Sequence, residues 1–209
     1  MTTEQMPAES PSPRAVLAFD ASVLASFGAL LVIVAVLAFW LGARQNLAPS
    51  ASSPDVGFAR DMMRHHAQAV DMATLLRDRT DDPEMRQLAL DIMLTQQAQI
   101  GQMQGWLTVW NLPIASTDPA MAWMGMPVPA SQMPGLIPTE EVVAFYNLDG
   151  SDLERRYLEL LVEHHLGGVH MAEWQARHGV DPTLRDLAGR MLVTQRTEID
   201  DMRQLLGGS

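Results

Sequence analysis

Two pairs of adjacent histidines, His65-His66 and His164-His165, lie among methionines, in "RDMMRHHAQAVDMA" (60–73) and "LLVEHHLGGVHMA" (160–172). Imidazole and thioether together suit copper, and the thioether favours its cuprous state. His65 follows Met62 by three residues and precedes Met72 by seven, so on a helix all three share a face. Downstream, Gln96 and Met103 are likewise seven apart, with Gln99 between them. A second set comprises His164, Met171, Gln195, Glu198 and Met202, with Glu163 and His170 nearby. Neighbouring residues diverge by about 100° around a helix. The two histidines of a pair therefore cannot both enter one site; one serves as an inner ligand while the other sits on its rim or orients it.

Packing alone accounts for any one of these residues. A buried His and a buried Gln can satisfy each other's hydrogen bonds across a core, and Met on a helix stripe is common filler. Two His-His pairs with two companion methionines at one register favour a function for the set. Enzyme readings have less support. The chain has no Glu-x-x-His string of a carboxylate-bridged di-iron bundle, no His-Glu-x-x-His, no phosphate loop and no nucleophile elbow. Asp61 and His65, four apart, could form an acid–base pair, but Leu160 stands at the matching position of the second set.

The elements that must position these groups are helical. Ala, Leu, Met, Gln, Arg and Glu dominate the chain, and these are good helix formers. From Asp55 to about Arg79, Phe58, Met62, His65, Ala69, Met72 and Leu76 form one stripe. "TDDP" breaks it, with Pro83 suited to the first turn of the next helix. That helix, to about Trp110, aligns Met85, Ala89, Ile92, Gln96, Met103 and Leu107. Residues 111–138 are rich in Pro, Gly and Met and cannot be regular. Their Met121, Met124, Met126 and Met133 are not expected all to be core; "MAWMGM" is either an exposed cuprous-binding stretch or a greasy lid. Thr139 is placed to cap a short helix opening with Glu140 and Glu141. Two long helices follow, at about 150–178 and 182–207.

A shift of 99 positions superimposes the two halves without a gap. It matches His65 with His164, His66 with His165, Met72 with Met171, Asp82-Pro83 with Asp181-Pro182, Gln96 with Gln195 and Met103 with Met202. Over Phe58 to Leu107 this gives 15 identities in 50 positions. The repeating unit is a helical hairpin. One hairpin alone cannot bury its stripe, whereas two related by a pseudo-two-fold axis form a four-helix bundle with one shared core.

The formal charge is −11, all 14 basic residues are Arg, and they are scattered. Nucleic acid, which selects for basic clusters, is excluded as a partner. There is no cysteine but there are 15 methionines. That excludes disulfides, thiolate metal sites and a cysteine-linked lipid anchor, and suits a compartment where a thiol would be oxidised. Between Asp20 and Arg44 lie 23 uncharged residues, long enough to span a bilayer. A cleavable signal peptide ending at "NLA" is the rival reading; the long apolar run and polar lead favour an uncleaved anchor. Arg14 before the span and Arg44, Arg60 and Arg64 after it leave the orientation open. The missing cysteine and the Met/His content put the C-terminal part outside the cytoplasm.

The strings "FARDMMRHHAQAVDMA", "TQQAQIGQMQGWL", "MPG" before the short acidic helix, and "LVEHHLGGVHMA" with its trailing "TQRTEIDDM" resemble a bacterial family catalogued as domain of unknown function 305. The resemblance covers about residues 55–207. It implies a ferritin-like fold and metal handling outside the cytoplasm, since members are typically exported or membrane-anchored and some resemble periplasmic copper-binding proteins. Matched positions imply His65, His66, Met62, Met72, Met103, His164, His165, Met171, Glu198 and Met202 as metal ligands. Two departures are Leu161-Val162 in place of Met62-Met63, and Gln99 in place of Glu198.

The expectation is thus an all-α protein, a ferritin-like four-helix bundle of two repeated hairpins behind one N-terminal transmembrane helix. Residues 1–20 are disordered, 21–43 the anchor and 44–54 a linker; 55–209 form the bundle. Within it, repeat one is 55–110, a Met/Pro-rich connection 111–149, and repeat two 150–207. The expected function is copper buffering, chaperoning or resistance at a bacterial cell membrane, with no catalysis. The alternatives are a helical interaction module without metal and a metal-dependent oxidoreductase.

Overall fold

The structure is a computed structural model that describes residues 21–45 and 48–208. The disorder expected for residues 1–20, and part of the linker, lie outside these residues. The chain divides into two compact units between Leu47 and Ala48. The first holds α1, Ala21–Gln45. It is apolar all round rather than along a stripe, and its Ser22–Gly42 stretch is long and apolar enough to cross a bilayer.

The second unit contains α2 (Pro54–Arg79), α3 (Pro83–Val109), α4 (Thr139–Tyr146), α5 (Gly150–His178) and α6 (Pro182–Gly208). Among the described residues there is no β-strand, only one antiparallel bridge between Ala120 and Val128. The protein is all-α. Its core is the expected bundle of two repeated hairpins: α2 pairs with α3, α5 pairs with α6, and α2 packs on α5. All six residues of the α2 stripe, and all six of the α3 stripe, are buried.

Helix starts follow from local chemistry. Ser53 accepts from the Val56 amide at 3.3 Å. Asp82 accepts from Glu84 and Met85 at 2.7 and 3.2 Å, and Asp181 from Thr183 and Leu184 at 2.8 and 3.0 Å. A proline follows each cap, where its missing N–H is no loss. Thr139 departs from expectation. It is the first helical residue rather than the cap, and Pro138, which has no side-chain acceptor, precedes it.

Each hairpin is latched by the foot of the other. The Asp55 carboxylate, fully buried at the start of α2, accepts from the Gln175 side chain at 2.6 Å and from the Val180 and Asp181 amides at 3.1 Å in the α5–α6 turn. Its repeat counterpart, Glu154 of α5, accepts from the Thr80 hydroxyl in the α2–α3 turn. Asp55→Ala would strand the buried Gln175 donor and two part-buried amides, so the substitution is expected to cost about 3 kcal/mol. For a domain of this size that corresponds to a melting temperature lower by roughly 6–12 °C, readable by circular dichroism on the full-length chain in detergent.

The interior has two apolar clusters, and the long helices run through both. One gathers Phe58, Met62, Met103, Met171, Leu184 and Met191. The other gathers Met72, Leu76, Ile92, Leu153, Tyr157, Leu161 and Met202. Along every long helix a polar step separates the two sets: His65-His66, Gln96 and Gln99, His164-His165, and Gln195 with Glu198.

The connection between α3 and α4 divides its methionines. Met121, Met124 and Met133 are buried in the first apolar cluster, and only Met126 of the four is exposed. The buried Asp61 carboxylate explains this. It accepts from the Met121 amide at 2.7 Å and the Trp123 indole at 2.8 Å, supplying partners that irregular backbone must find before it can enter a core. Trp123 then packs edge-on against Phe58 and Trp174, with ring centroids 5.7 and 5.1 Å away. It lies over Gly57, where a Cβ would stand 2.4 Å from it. Asp61 thus serves the loop and forms no pair with His65.

Candidate metal centre

The four histidines form the middle layer of the bundle, and all are buried. The pseudo-two-fold axis brings His65 of α2 onto His164 of α5, their rings 3.7 Å apart between centroids and tilted by 36°. The His164 Nε2 lies 3.0 Å from the His65 carbonyl oxygen. The other member of each pair turns toward its own hairpin partner. His66 Nε2 is 2.7 Å from Gln99 Oε1, and His165 Nε2 is 2.9 Å from Glu198 Oε2. These contacts obey the 99-residue shift: 66 and 99 in one repeat, 165 and 198 in the other.

Hydrogen bonding leaves much of this layer unsatisfied. Both ring nitrogens of His65 lack a partner, as do the Nδ1 atoms of His66, His164 and His165. Whichever tautomer His65 adopts, an N–H and a lone pair are left over inside the protein, an arrangement that costs about 1–3 kcal/mol per group. Gln96 Oε1, both amide atoms of Gln195 and the Tyr157 hydroxyl are also unpartnered.

Burial sets the charge of the ring nitrogens. It holds His65 and His164 well below the ordinary value of 6.5, reinforced at each by a neighbouring imidazole. It pushes His66 down to about 3, against the Gln99 hydrogen bond, which raises it. These imidazoles are neutral, the form that binds metal ions. The sign of the pH effect follows. Between about pH 6.5 and pH 3 the unfolded chain takes up protons on these residues that the bundle excludes, so stability is lost as pH falls through that window. Each histidine contributes up to about 1.4 kcal/mol per pH unit. Urea unfolding midpoints should therefore drop from about pH 7 to pH 5, and His66→Leu should make that slope shallower.

Of the ten residues implied as ligands, the structure brings the four histidines into one layer and sets Glu198 against His165. It places the methionines above and below that layer. Met62, Met103 and Met171 belong to the first apolar cluster, Met72 and Met202 to the second, and each is fully buried. Methionines from opposite hairpins thus share a cluster, Met103 with Met171 and Met202 with Met72. Among the described residues no three His, Asp or Glu side chains converge to hold a metal ion by themselves. Sulfur, amide or phenol groups would have to complete any coordination shell.

A strap closes the layer. Gly135, with φ +82°, runs over the histidine pair; a Cβ there would stand 2.8 Å from His65 Nε2 and 2.5 Å from the His164 carbonyl oxygen. Beneath it, a Cβ at Gly167 of α5 would meet the Pro134 carbonyl oxygen at 2.2 Å. Gln68 clamps the strap's end, donating to the Ile137 carbonyl and accepting from its amide, both at 2.8 Å. The sequence reading missed Gln68, Gly135, Gly167 and Tyr157 as parts of the site. A signal existed: Gly167-Gly168 stands where the first repeat has Gln68-Ala69, and helix-interior glycines usually mark close packing.

Comparison with known proteins agrees with this architecture. A solved DUF305 structure from Streptomyces coelicolor, described as a candidate secreted protein, is 47% identical, with a TM-score of 0.72 over 76% of this chain and 95% of that one. CopM in its Cu(I)-bound form, also solved with Cu(II) and with silver, shares the fold at 24% identity, with a TM-score of 0.54 over 74% of this chain and 96% of that one. The uncharacterized protein L153 of Acanthamoeba polyphaga mimivirus is 38% identical over 53 residues, a quarter of this chain and 35% of that relative's length. The family model described as domain of unknown function matches residues 55–206, and the chain belongs to that family, DUF305.

Proposed function

We propose that the protein binds copper through its buried histidines and methionines and acts as a buffer, chaperone or resistance protein rather than an enzyme. The observation that carries this reading is His65, sealed in the core with neither ring nitrogen partnered beside a second neutral imidazole. A core that needed only stability would be better served by apolar residues. The proposed ligands are His65, His66, His164 and His165, with Met62, Met72, Met103, Met171, Met202 and Glu198 completing the shell. CopM, which has this fold, was solved with Cu(I), Cu(II) and silver bound, the cations expected of such a donor set. The proposed setting is the outer side of a bacterial cell membrane. Residues 21–43 anchor the chain, 44–54 link, and 55–209 carry the bundle with its repeats at 55–110 and 150–207 and its connection at 111–149.

The test is copper content and melting temperature of the full-length chain, purified in detergent without chelator. Bound copper, and a stabilisation of about 2.7 kcal/mol when free Cu(I) is a hundred times the dissociation constant, are expected. The second reading, a helical module whose polar layer only specifies core register, draws on the His66–Gln99 and His165–Glu198 hydrogen bonds. It requires no retained metal and a melting temperature indifferent to copper.

A further inference from the structure

We propose that the two repeats have diverged into half-sites for cations of different charge. The His165–Glu198 half takes a divalent ion of the Cu(II) or Zn(II) class, and the His66–Gln99 half takes a soft monovalent ion of the Cu(I) or Ag(I) class. The inference rests on the metal-binding reading above and assigns a ligand class to each half of that site.

The 99-residue shift makes the comparison direct, because it places the same imidazole against the same position of the partner helix in both hairpins. At that position the first repeat has an amide 2.7 Å from the ring nitrogen and the second a carboxylate at 2.9 Å. Most of the surrounding differences run the same way, the exception being Ile92, which is replaced by the buried Met191. Met62 and Met63 of the first repeat are replaced by Leu161 and Val162, which removes sulfur. Phe58 is replaced by Tyr157, which adds a fully buried phenol hydroxyl without a partner. Ala69 is replaced by Gly168, and the room released is filled by the Gln195 amide, 2.2 Å from where a Cβ would be. Both polar atoms of Gln195 are buried without partners, as is Gln96 Oε1 in the first repeat. Beside the imidazole pair the second half has thus lost the two thioethers of Met62 and Met63 and gained a carboxylate and a phenol.

Charge and softness then choose the ion. An unneutralised charge in a protein interior is costly, so a buried cation needs negative charge beside it. His66 and Gln99 bring none, which leaves a divalent ion there two charges in excess and a monovalent ion only one. Glu198 removes one charge in the second half. Oxygen donors favour harder ions and sulfur the softer. With its side chain 13% exposed, Glu198 also borders solvent that can fill the remaining coordination positions of a divalent ion.

The test titrates metal-free full-length protein by calorimetry, separately with Zn(II) and Ag(I), neither of which changes redox state. Wild type is expected to bind both. Glu198→Gln recreates the first repeat's imidazole–amide pair and should preserve the fold, checked by circular dichroism. It should weaken Zn(II) by at least about tenfold and leave Ag(I) within about threefold. Gln99→Glu should strengthen Zn(II) or add a second Zn(II) equivalent. Loss of both ions in equal measure on Glu198→Gln, or Zn(II) affinity unchanged by either substitution, would overturn the assignment while leaving metal binding intact. Wild type that binds Ag(I) but no Zn(II) overturns it as well. Binding of neither ion would overturn the metal-binding reading itself, and this assignment with it.

Discussion

The double variant His65→Leu/His164→Leu should lose most of its bound copper and yet fold as stably as the wild type. His65 gives up at most a poorly aligned approach to the His164 backbone, and His164 one contact, to the His65 carbonyl oxygen. Replacing unsatisfied buried polar groups by apolar ones of similar size is close to neutral or stabilising. The expected change in unfolding free energy is therefore within about 1 kcal/mol of zero, and the acid-side loss of stability should be shallower because two depressed imidazoles are gone. Copper content by elemental analysis should fall well below the wild-type stoichiometry. Extending the substitution to His66 and His165 would remove whatever the outer imidazoles retain. A leucine variant that keeps wild-type copper stoichiometry would remove the histidine layer from the proposed function. A variant that loses copper only because it unfolds would be recognised by its circular dichroism. An apolar pair that matches the native stability would also explain what the histidines are for, since stability would then give no reason to keep them.

Gly167→Ala should be among the most destabilising single-methyl additions available in this chain. The added carbon would lie 2.2 Å from the Pro134 carbonyl oxygen and 2.6 Å from Gly135 Cα, so it meets backbone on both counts and no flexible side chain can move aside. Either the strap lifts, breaking the Gln68–Ile137 pair of hydrogen bonds, or α5 shifts against α2. A cost of about 3 kcal/mol is expected, which lowers the melting temperature by roughly 6–12 °C. The control is Gly101→Ala on the exposed face of α3, where nothing lies within 4 Å of the new carbon. There the better helix propensity of alanine should add up to about 1 kcal/mol. Equal effects at the two sites would show that the strap does not pack on α5 as described.

The histidine layer was legible in the sequence because its determinants repeat. One apolar side chain every three or four residues, caps at Asp82 and Asp181, and a 99-residue self-match are properties of short stretches or of their comparison. They suffice to predict two hairpins with imidazoles at one level. The same logic could not choose between an exposed stretch and a lid for the connection. Pro, Gly and Met in irregular order carry no periodicity, and the burial of Met121, Met124 and Met133 depends on a carboxylate 60 residues away that looked like a candidate base for His65.

By itself the sequence determined the helices, their ends, their pairing into repeats and the residue types facing inward, since each follows from contacts within a hairpin or from the symmetry between hairpins. Tertiary structure alone decided that His65 stacks on His164 while His66 and His165 turn to Gln99 and Glu198. It decided that the methionines flank the layer from opposite hairpins, and that Gly135 closes over it. Those outcomes depend on how closely two helices and a strap approach one another. That distance is set where separate parts of the chain meet at glycines, Gly135 and Gly167 against backbone and Gly57 and Gly168 against the Trp123 and Gln195 side chains, and no local pattern encodes it.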